Sequence, residues 1–237
     1  MFTTFPLKEL TRLIILDLTG NPVCRVQNFR LFTVFHLNRL KILNGCGVTP
    51  KDQTQAKEIY MGKLTIELLG EKIGHFNFKN ITELDLRNCK IKEIDCLSGS
   101  DFRSLRKLNF DNNLLTNIDC FASLVGLRNL SVNNNKIERL LSSDGNFGDH
   151  HKQMKSFLPN LEELYLGYNN LAKISDLGLH RISQLRVLHV QGNKILKVDG
   201  LEQMTNLSEL VLDKNQIKAI DPLSFVSLIS LKELHIK

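Results

Sequence analysis

The sequence predicts an α/β solenoid, with a curved parallel sheet on the concave face and short 3-10 or single-turn helices on the convex face. One short apolar pattern recurs along the chain, and a second apolar set follows each copy after a sharp turn. The 237 residues are 42% hydrophobic and 24% charged, which suits a globular protein and excludes wholesale disorder. Apolar runs such as residues 13–16 are short and broken by charges, so we expect no membrane-spanning segment.

The repeated pattern is L-x-x-L-x-L-x-x-N-x-L, a signature of leucine-rich repeats. The copies start at Leu13, Ile81, Leu105, Leu127, Leu161, Leu185 and Leu207, and a last one opens at Leu231. From Ile81 the starts are spaced 24, 22, 34, 24, 22 and 24 residues apart. The alternation around the central leucines predicts a short strand whose leucines point into the interior. About ten residues then remain for the return path, which is too few for a full-length helix.

Two polar features recur among the copies. The ninth position is asparagine, or cysteine at Cys89, and a buried amide there can satisfy backbone groups that the turn leaves unpaired. A recurrent aspartate follows the second apolar set, at Asp95, Asp119, Asp199 and Asp221. We interpret these aspartates as caps of the short convex turns rather than as a row of catalytic carboxylates.

Residues 28–45 depart from the repeat. Phe29, Phe32, Val34 and Leu37 form an apolar stripe that can cover the open end of a solenoid core. Leu37, Leu40 and Ile42 are expected to keep the strand phase, 24 residues after Leu13. This stretch resembles the C-terminal cap of short-repeat intracellular leucine-rich proteins. That family includes the spliceosomal A-prime protein, the leucine-rich regulatory subunit of protein phosphatase one and axonemal leucine-rich proteins.

The organisation follows from these features. Residues 1–49 are predicted to be the end of a first array with its cap, residues 50–74 a helical connector, and residues 75–237 a second array truncated in its last repeat. Thr49-Pro50 is a helix start, whereas residues 64–73 fit either a helix or a strand. The layout resembles large multi-array members of the family. That resemblance implies a cytoplasmic protein without enzymatic activity, associated with cilia or the cytoskeleton.

Chemistry-bearing motifs are lacking in the sequence. Neither a phosphate-binding glycine loop, nor a nucleophile elbow, nor a zinc-protease motif occurs. His150-His151, with Asp144 and Asp149, falls in the insertion of the longest repeat and is interpreted as a solvated loop. The five cysteines are odd in number and are expected to be free thiols. We therefore predict no catalytic residues, no metal, no cofactor and no small-molecule substrate.

What remains is the concave surface. Its outward positions are mostly polar, but one patch from three consecutive repeats is aromatic and apolar and is ringed by charges, as is typical of protein interfaces. The patch comprises Tyr165, Tyr168, Val187, His189 and Val211, with Glu163, Arg186 and Glu209 around it. The alternative interpretation is scattered apolar surface residues.

The sequence thus favours a scaffold that binds an unidentified protein partner on the concave face. The formal charge of +6 is concentrated in residues 1–50, which carry 6 basic and 2 acidic side chains. Residues 81–237 carry 20 and 19, which argues against a nucleic-acid partner. The alternative is an RNA-associated adaptor resembling the spliceosomal A-prime protein, or a phosphatase-regulatory subunit. The basic residues Arg12, Arg25, Arg30, Arg39 and Lys41 motivate the RNA alternative.

Overall fold

The structure is a computed structural model and describes residues 10–140, 157–220 and 222–237. It divides into two compact units, Met1–Phe76 and Asn77–Lys237.

The first unit combines a small sheet with three helices. Its elements are β1 (Ile15–Leu16), a 3-10 turn (Pro22–Arg25), α1 (Phe29–His36), β2 (Ile42–Leu43), β3 (Cys46–Gly47), α2 (Pro50–Tyr60), β4 (Lys63–Leu64) and α3 (Ile66–Ile73). β1 and β2 are parallel, and β2 and β3 are antiparallel. The predicted stripe is buried on and after α1, where Phe29 and Leu37 pack with Leu40 and Leu43.

The predicted strand phase in this unit is wrong by three residues. Ile15 aligns with Ile42 and Leu16 with Leu43, an offset of 27 residues rather than 24. Leu40 and Leu43 therefore take the core positions, while Ile42 is only half-buried. The cause is the return path, because α1 is a helix of 8 residues and needs more chain than the short turns of the other repeats.

The connector region contains both a strand and a helix, the two structures that fit the sequence of residues 64–73. α2 begins at Pro50 behind a capping box, in which Thr49 and Asp52 each bond the other's backbone N–H. Lys63–Leu64 is a strand, and Ile66–Ile73 is a helix whose N-cap is Thr65. α3 ends at Gly74, whose φ of 87° is a left-handed conformation that favours glycine.

The second unit is built around a seven-stranded parallel sheet. Its sheet strands are β5 (Glu83–Asp85), β7 (Lys107–Asn109), β8 (Asn129–Ser131), β9 (Glu163–Tyr165), β10 (Val187–His189), β12 (Glu209–Val211) and β14 (Glu233–His235), which lie side by side in that order. Shorter strands are β6 (Glu93–Ile94), β11 (Lys197–Val198) and β13 (Ala219–Ile220), of which β11 and β13 pair in parallel. The central leucines align from strand to strand in one register, which confirms the predicted leucine-rich repeats from Ile81 onward.

The leucines share one continuous interior. Leu130, Leu164, Leu188 and Leu210 are all 0% exposed, whereas Leu234 on the edge strand is 43% exposed. Each repeat therefore buries its leucines against the neighbouring repeats, and the leucine of the edge strand is partly exposed. The convex side carries 3-10 turns at Asp119–Phe121, Ser175–Leu177 and Leu179–Arg181, and a short helix α4 at Pro222–Val226, as predicted.

The prediction that the recurrent aspartates cap the convex turns is met at Asp199, although the turn that it caps belongs to the neighbouring repeat. At the turn Asp119–Phe121 the N-cap position is Ile118, which makes no side-chain hydrogen bond. Asp199 accepts a bond from the backbone N–H of Ser175, 3.3 Å away, at the start of the turn in the preceding repeat. The aspartate at 199 therefore links neighbouring repeats because the turns are stacked side by side. Asp221 lies outside the described residues.

The predicted ladder of buried amides is present. Asn113, Asn135, Asn169 and Asn193 are buried, and each donates through Nδ2 to carbonyl groups of its own and the preceding repeat. Each Oδ1 accepts from a backbone N–H of the preceding repeat. Cys89 fills the first slot of the ladder, and its backbone N–H donates to Asn113.

Across the part of the chain that the structure describes, we find no helix whose length and apolarity would let it cross a bilayer.

Candidate functional site

Three neighbouring strands, β9, β10 and β12, carry the predicted patch. Parallel pairing places Val187 between Glu163 and Glu209, and His189 between Tyr165 and Val211. Since alternate residues of a strand point to opposite faces, all six side chains lie on the face opposite the buried leucines. The structure therefore brings these six predicted residues together as two rows of three.

The patch is cross-linked by hydrogen bonds. The Tyr165 hydroxyl donates to Glu163 Oε2 over 2.9 Å, and Asn129 Nδ2 from β8 donates to the same oxygen. His189 Nε2 lies 2.7 Å from Glu209 Oε1. The Tyr165 and His189 rings meet edge to face with their centroids 4.8 Å apart. One chain of contacts thus joins β8 to β12 and holds Tyr165 in a single orientation.

These surroundings change the acidity of the tyrosine. Burial raises the pKa of Tyr165 to about 12, and the hydrogen bond to Glu163 and the negative charges of Glu163 and Glu209 act in the same direction. The phenol thus stays protonated, with its hydroxyl donating to Glu163.

Tyr168 lies beyond the strand, in a left-handed conformation with φ of 55°. Its ring covers Gly192, where an added Cβ would stand 2.5 Å from the ring, so the close approach requires glycine. Lys214 Nζ donates to the Tyr168 hydroxyl over 3.3 Å. Tyr168 is 44% exposed and is the most accessible aromatic group of the predicted patch.

Arg186 is the one predicted member that the structure places elsewhere. It precedes β10, and alternation along the strand turns it away from Val187. Its exposed side chain lines a depression of about 500 Å³ with Asn206, Ser208 and Lys232, at the edge where the strands begin. Arg186 thus lies at the border of the sheet and not in the two rows, and its part in a binding surface stays a prediction.

The patch is more polar and more acidic than its sequence pattern indicated. The eight outward positions of β9, β10, β12 and β14 hold three glutamates and no lysine or arginine. Towards β5, by contrast, Lys107 pairs with Glu83 at 2.9 Å and Arg87 with Asp85 at 2.7 Å. The concave face therefore has a neutralised half and an acidic half, and the patch lies in the acidic half.

Two contacts of the patch were absent from the sequence prediction. Asn129 occupies the same row as Glu163, one strand earlier, and this shared repeat position is a signal that could have included it. Lys214 reaches Tyr168 across 46 residues of sequence, and only the stacking of the repeats reveals that contact.

Among the described residues, no three His, Cys, Asp or Glu side chains are grouped so that they could hold a metal ion. The four residues considered for a metal in the insertion, Asp144, Asp149, His150 and His151, lie outside the described residues. All five cysteines are free thiols. Burial raises the pKa of the Cys120 thiol to about 12, with Asp119 adding to the effect, so it is protonated.

Several proteins of known role are similar to this chain. It is 32% identical over 177 residues to the U2 small nuclear ribonucleoprotein A' of Arabidopsis thaliana, covering 73% of this chain and 67% of that protein. It is 33% identical over 136 residues to the human U2 small nuclear ribonucleoprotein A', covering 57% and 49%. A protein phosphatase 1 regulatory inhibitor subunit PPP1R7 homolog of Arabidopsis thaliana is 26% identical over 157 residues, covering 60% and 47%. The chain thus spans from about half to two thirds of the length of these relatives.

Solved structures agree on the fold. A crystal structure of a TLR13–ssRNA13 complex matches with a TM-score of 0.54 at 19% identity, over 97% of this chain and 33% of that one. The Leptospira interrogans LRR protein LIC12759 matches with a TM-score of 0.52 at 24% identity, over 99% and 57%. Residues 61–189 match the family described as Leucine-rich repeat, and residues 183–225 match Leucine Rich repeats (2 copies). With its register, its asparagine ladder and these matches, the chain belongs to the leucine-rich repeat family.

Proposed function

We propose that this chain is a non-catalytic scaffold subunit of a ribonucleoprotein, and that it holds a protein partner on the acidic half of its concave face. The observation that carries the proposal is the ordered network of Glu163, Tyr165, His189 and Glu209. An interface whose side chains are already fixed loses less conformational entropy on binding. Similarity to U2 small nuclear ribonucleoprotein A' in plants and animals supports the assembly named.

The charge of the face indicates the chemistry of the partner. Glu163, Glu209 and Glu233 project from three of the four parallel strands β9, β10, β12 and β14, whose outward positions include no lysine or arginine. A partner segment with arginine or lysine is complementary to this surface. Tyr165 and Tyr168 supply the aromatic contacts that commonly dominate such interfaces.

A double variant tests the proposal. Changing Tyr165 and Val187 to Asp adds two charges to an already acidic face and removes the aromatic contact. Tagged wild-type chain is expected to sediment in a large complex that contains small nuclear RNA, and the variant is expected to stay in the monomer fraction. The matched control changes Val125 and Leu196 to Asp, since these are 59% and 46% exposed and lie off the concave strands. A folded patch variant that still sediments in the complex would overturn the proposal.

The second candidate is a phosphatase-regulatory subunit, which the similarity to the PPP1R7 homolog favours. The two candidates differ in what should be recovered together with the tagged chain. A tagged chain that recovers phosphatase activity and no small nuclear RNA would replace the ribonucleoprotein assignment.

The cellular location is part of the same proposal. The name of the A' relatives places them in a small nuclear particle, which favours the nucleus over the cytoplasm. The ciliary or cytoskeletal location depends only on the resemblance of the repeat layout to leucine-rich repeat-containing protein 9, a large multi-array protein. Imaging the tagged chain in ciliated cells distinguishes a nuclear signal from an axonemal one.

A further inference from the structure

A row of cations runs along the edge of the second unit where the sheet strands begin. The cations are Arg106, Arg128, Arg186 and Lys232. They belong to the row of residues that follow the first leucine or isoleucine of each repeat: Thr82, Arg106, Arg128, Glu162, Arg186, Ser208 and Lys232. The backbone N–H of each donates to the carbonyl of the one before over 2.8 Å, six times in succession. The row is therefore a fixed line on a rigid sheet and does not depend on loop conformation.

The spacing of this row is regular. Adjacent parallel strands lie about 4.8 Å apart, so Arg106 and Arg128 are neighbours and Arg186 and Lys232 follow at intervals of about 10 Å. The line from Arg106 to Lys232 is about 24 Å long. A line of this length spans several consecutive phosphates of a nucleic-acid strand, and its four cations can contact four of them.

The row is accessible and positive. Arg106, Arg128, Arg186 and Lys232 are exposed. Glu162 is the one carboxylate of the row, and it pairs with Arg128 at 3.0 Å while 61% of the Arg128 side chain remains exposed. Ser208 is short, so the depression of about 500 Å³ opens between Arg186 and Lys232.

The neighbouring positions supply neutral hydrogen-bonding groups. The residues just before the first leucine of the repeats are Asn80, Ser104, Gly126, Asn160, Gln184, Asn206 and Ser230, and none is charged. Amides and hydroxyls beside arginines are the usual contacts to phosphate and sugar oxygens. No aromatic side chain stands at either set of positions, so this edge is suited to a backbone rather than to stacked bases.

We propose that this edge, Arg106, Arg128, Arg186 and Lys232, binds the phosphodiester backbone of an RNA strand. The nearly balanced charge of residues 81–237 conceals the site, because folding puts Glu163, Glu209 and Glu233 on the concave face and these four cations, with Glu162, on its border. A straight line of cations about 24 Å long suits the continuous charged backbone of a nucleic-acid strand. The choice of RNA over DNA rests on the proposed ribonucleoprotein function.

The test measures binding of the full chain to a 20-nucleotide single-stranded RNA by fluorescence anisotropy as a function of salt. Four phosphate contacts predict a slope of log K against log salt of about −3. Changing Arg106, Arg128, Arg186 and Lys232 to Gln is expected to bring the slope near zero and to weaken binding at least about tenfold at low salt. A triple variant that keeps Arg106 is measured as well, because Arg106 also donates to the carbonyls of Arg103 and Leu105.

The matched control removes the same charge from the opposite edge. Lys92, Lys136, Lys194 and Lys218 are exposed beyond the ends of the strands, and their change to Gln is expected to leave both slope and affinity nearly unchanged. An equal loss in this control would show attraction by net charge alone and overturn the site. Equal affinity for DNA of the same sequence, or for polyglutamate, would overturn the assignment to RNA.

The two proposals fail separately. The Tyr165 and Val187 variant is expected to bind the RNA as the wild type does, because these residues lie on the concave strands and not on the edge. If that variant lost RNA binding although its four edge cations were intact, the edge would not be the RNA site. The protein partner is tested separately, by the sedimentation experiment.

Discussion

Asn135 shows how single side chains hold the repeats together. Its Oδ1 accepts from the Leu115 N–H over 3.0 Å, and its Nδ2 lies 2.9 Å from the Phe110 carbonyl and 3.1 Å from that of Val132. The residue is 8% exposed, so water cannot replace these partners. One amide therefore satisfies backbone groups from two repeats at once.

Replacing Asn135 with Ala is expected to lower the free energy of unfolding by about 2–4 kcal/mol, because buried donors and acceptors lose their partners. Urea denaturation followed by circular dichroism measures the change. Asn206 is the control, since it is exposed and donates a single bond to the Ser183 carbonyl. Equal losses for Asn135→Ala and Asn206→Ala would mean that burial of the ladder contributes nothing.

At the scale of elements, one carboxylate joins two helices of the first unit. Asp52 caps the start of α2 through Thr49 and forms a two-pronged ion pair with Arg30 of α1, at 2.9 and 3.1 Å. The bonds from Arg30 and from the Thr49 backbone hold the pKa of Asp52 well below its usual range. Arg30, one of the basic residues that suggested RNA binding, is thus already paired within its own unit.

Changing Asp52 to Asn is expected to destabilise the first unit by about 1–2 kcal/mol through loss of the cap and the ion pair. The folded-state pKa is lowered, so the stabilisation is complete above the usual carboxyl pKa and declines as the pH falls below about 4. Hydrogen exchange of the α2 amides measures this effect. The difference in protection between wild type and variant should shrink as the pH falls below about 4. Glu58, an exposed carboxylate in the same helix, is the control; a difference independent of pH would contradict the ion-pair account.

At the scale of the molecule, the second unit has one sheet edge whose neighbouring surface is apolar. β14 is the edge strand, and in the segment of chain just before it Leu223, Val226 and Ile229 are 69%, 71% and 81% exposed. An edge strand with unpaired backbone groups and exposed apolar side chains favours pairing with another chain.

We expect concentration-dependent association of the chain through this edge, and faster hydrogen exchange in β14 than in β9. Changing Val226 and Ile229 to Lys should shift sedimentation towards the monomer, because charge at an edge opposes pairing. Changing Val125 to Lys places one charge at an exposed site away from the edge and should have no effect. A monomer at all concentrations with fully protected β14 amides would contradict this expectation.

The sequence by itself determined the solenoid, its register from Ile81 onward and the asparagine ladder. The reason is that the same apolar and asparagine positions recur in each repeat and align when the repeats stack. It also identified six members of the concave patch, since alternation within a strand decides which side chains face outward. Only the tertiary structure decided the phase of the first unit, where the length of α1 changed the spacing. Only the stack separated the glutamates of the concave face from the cations of its border, because charges that alternate along the chain become rows when parallel strands align.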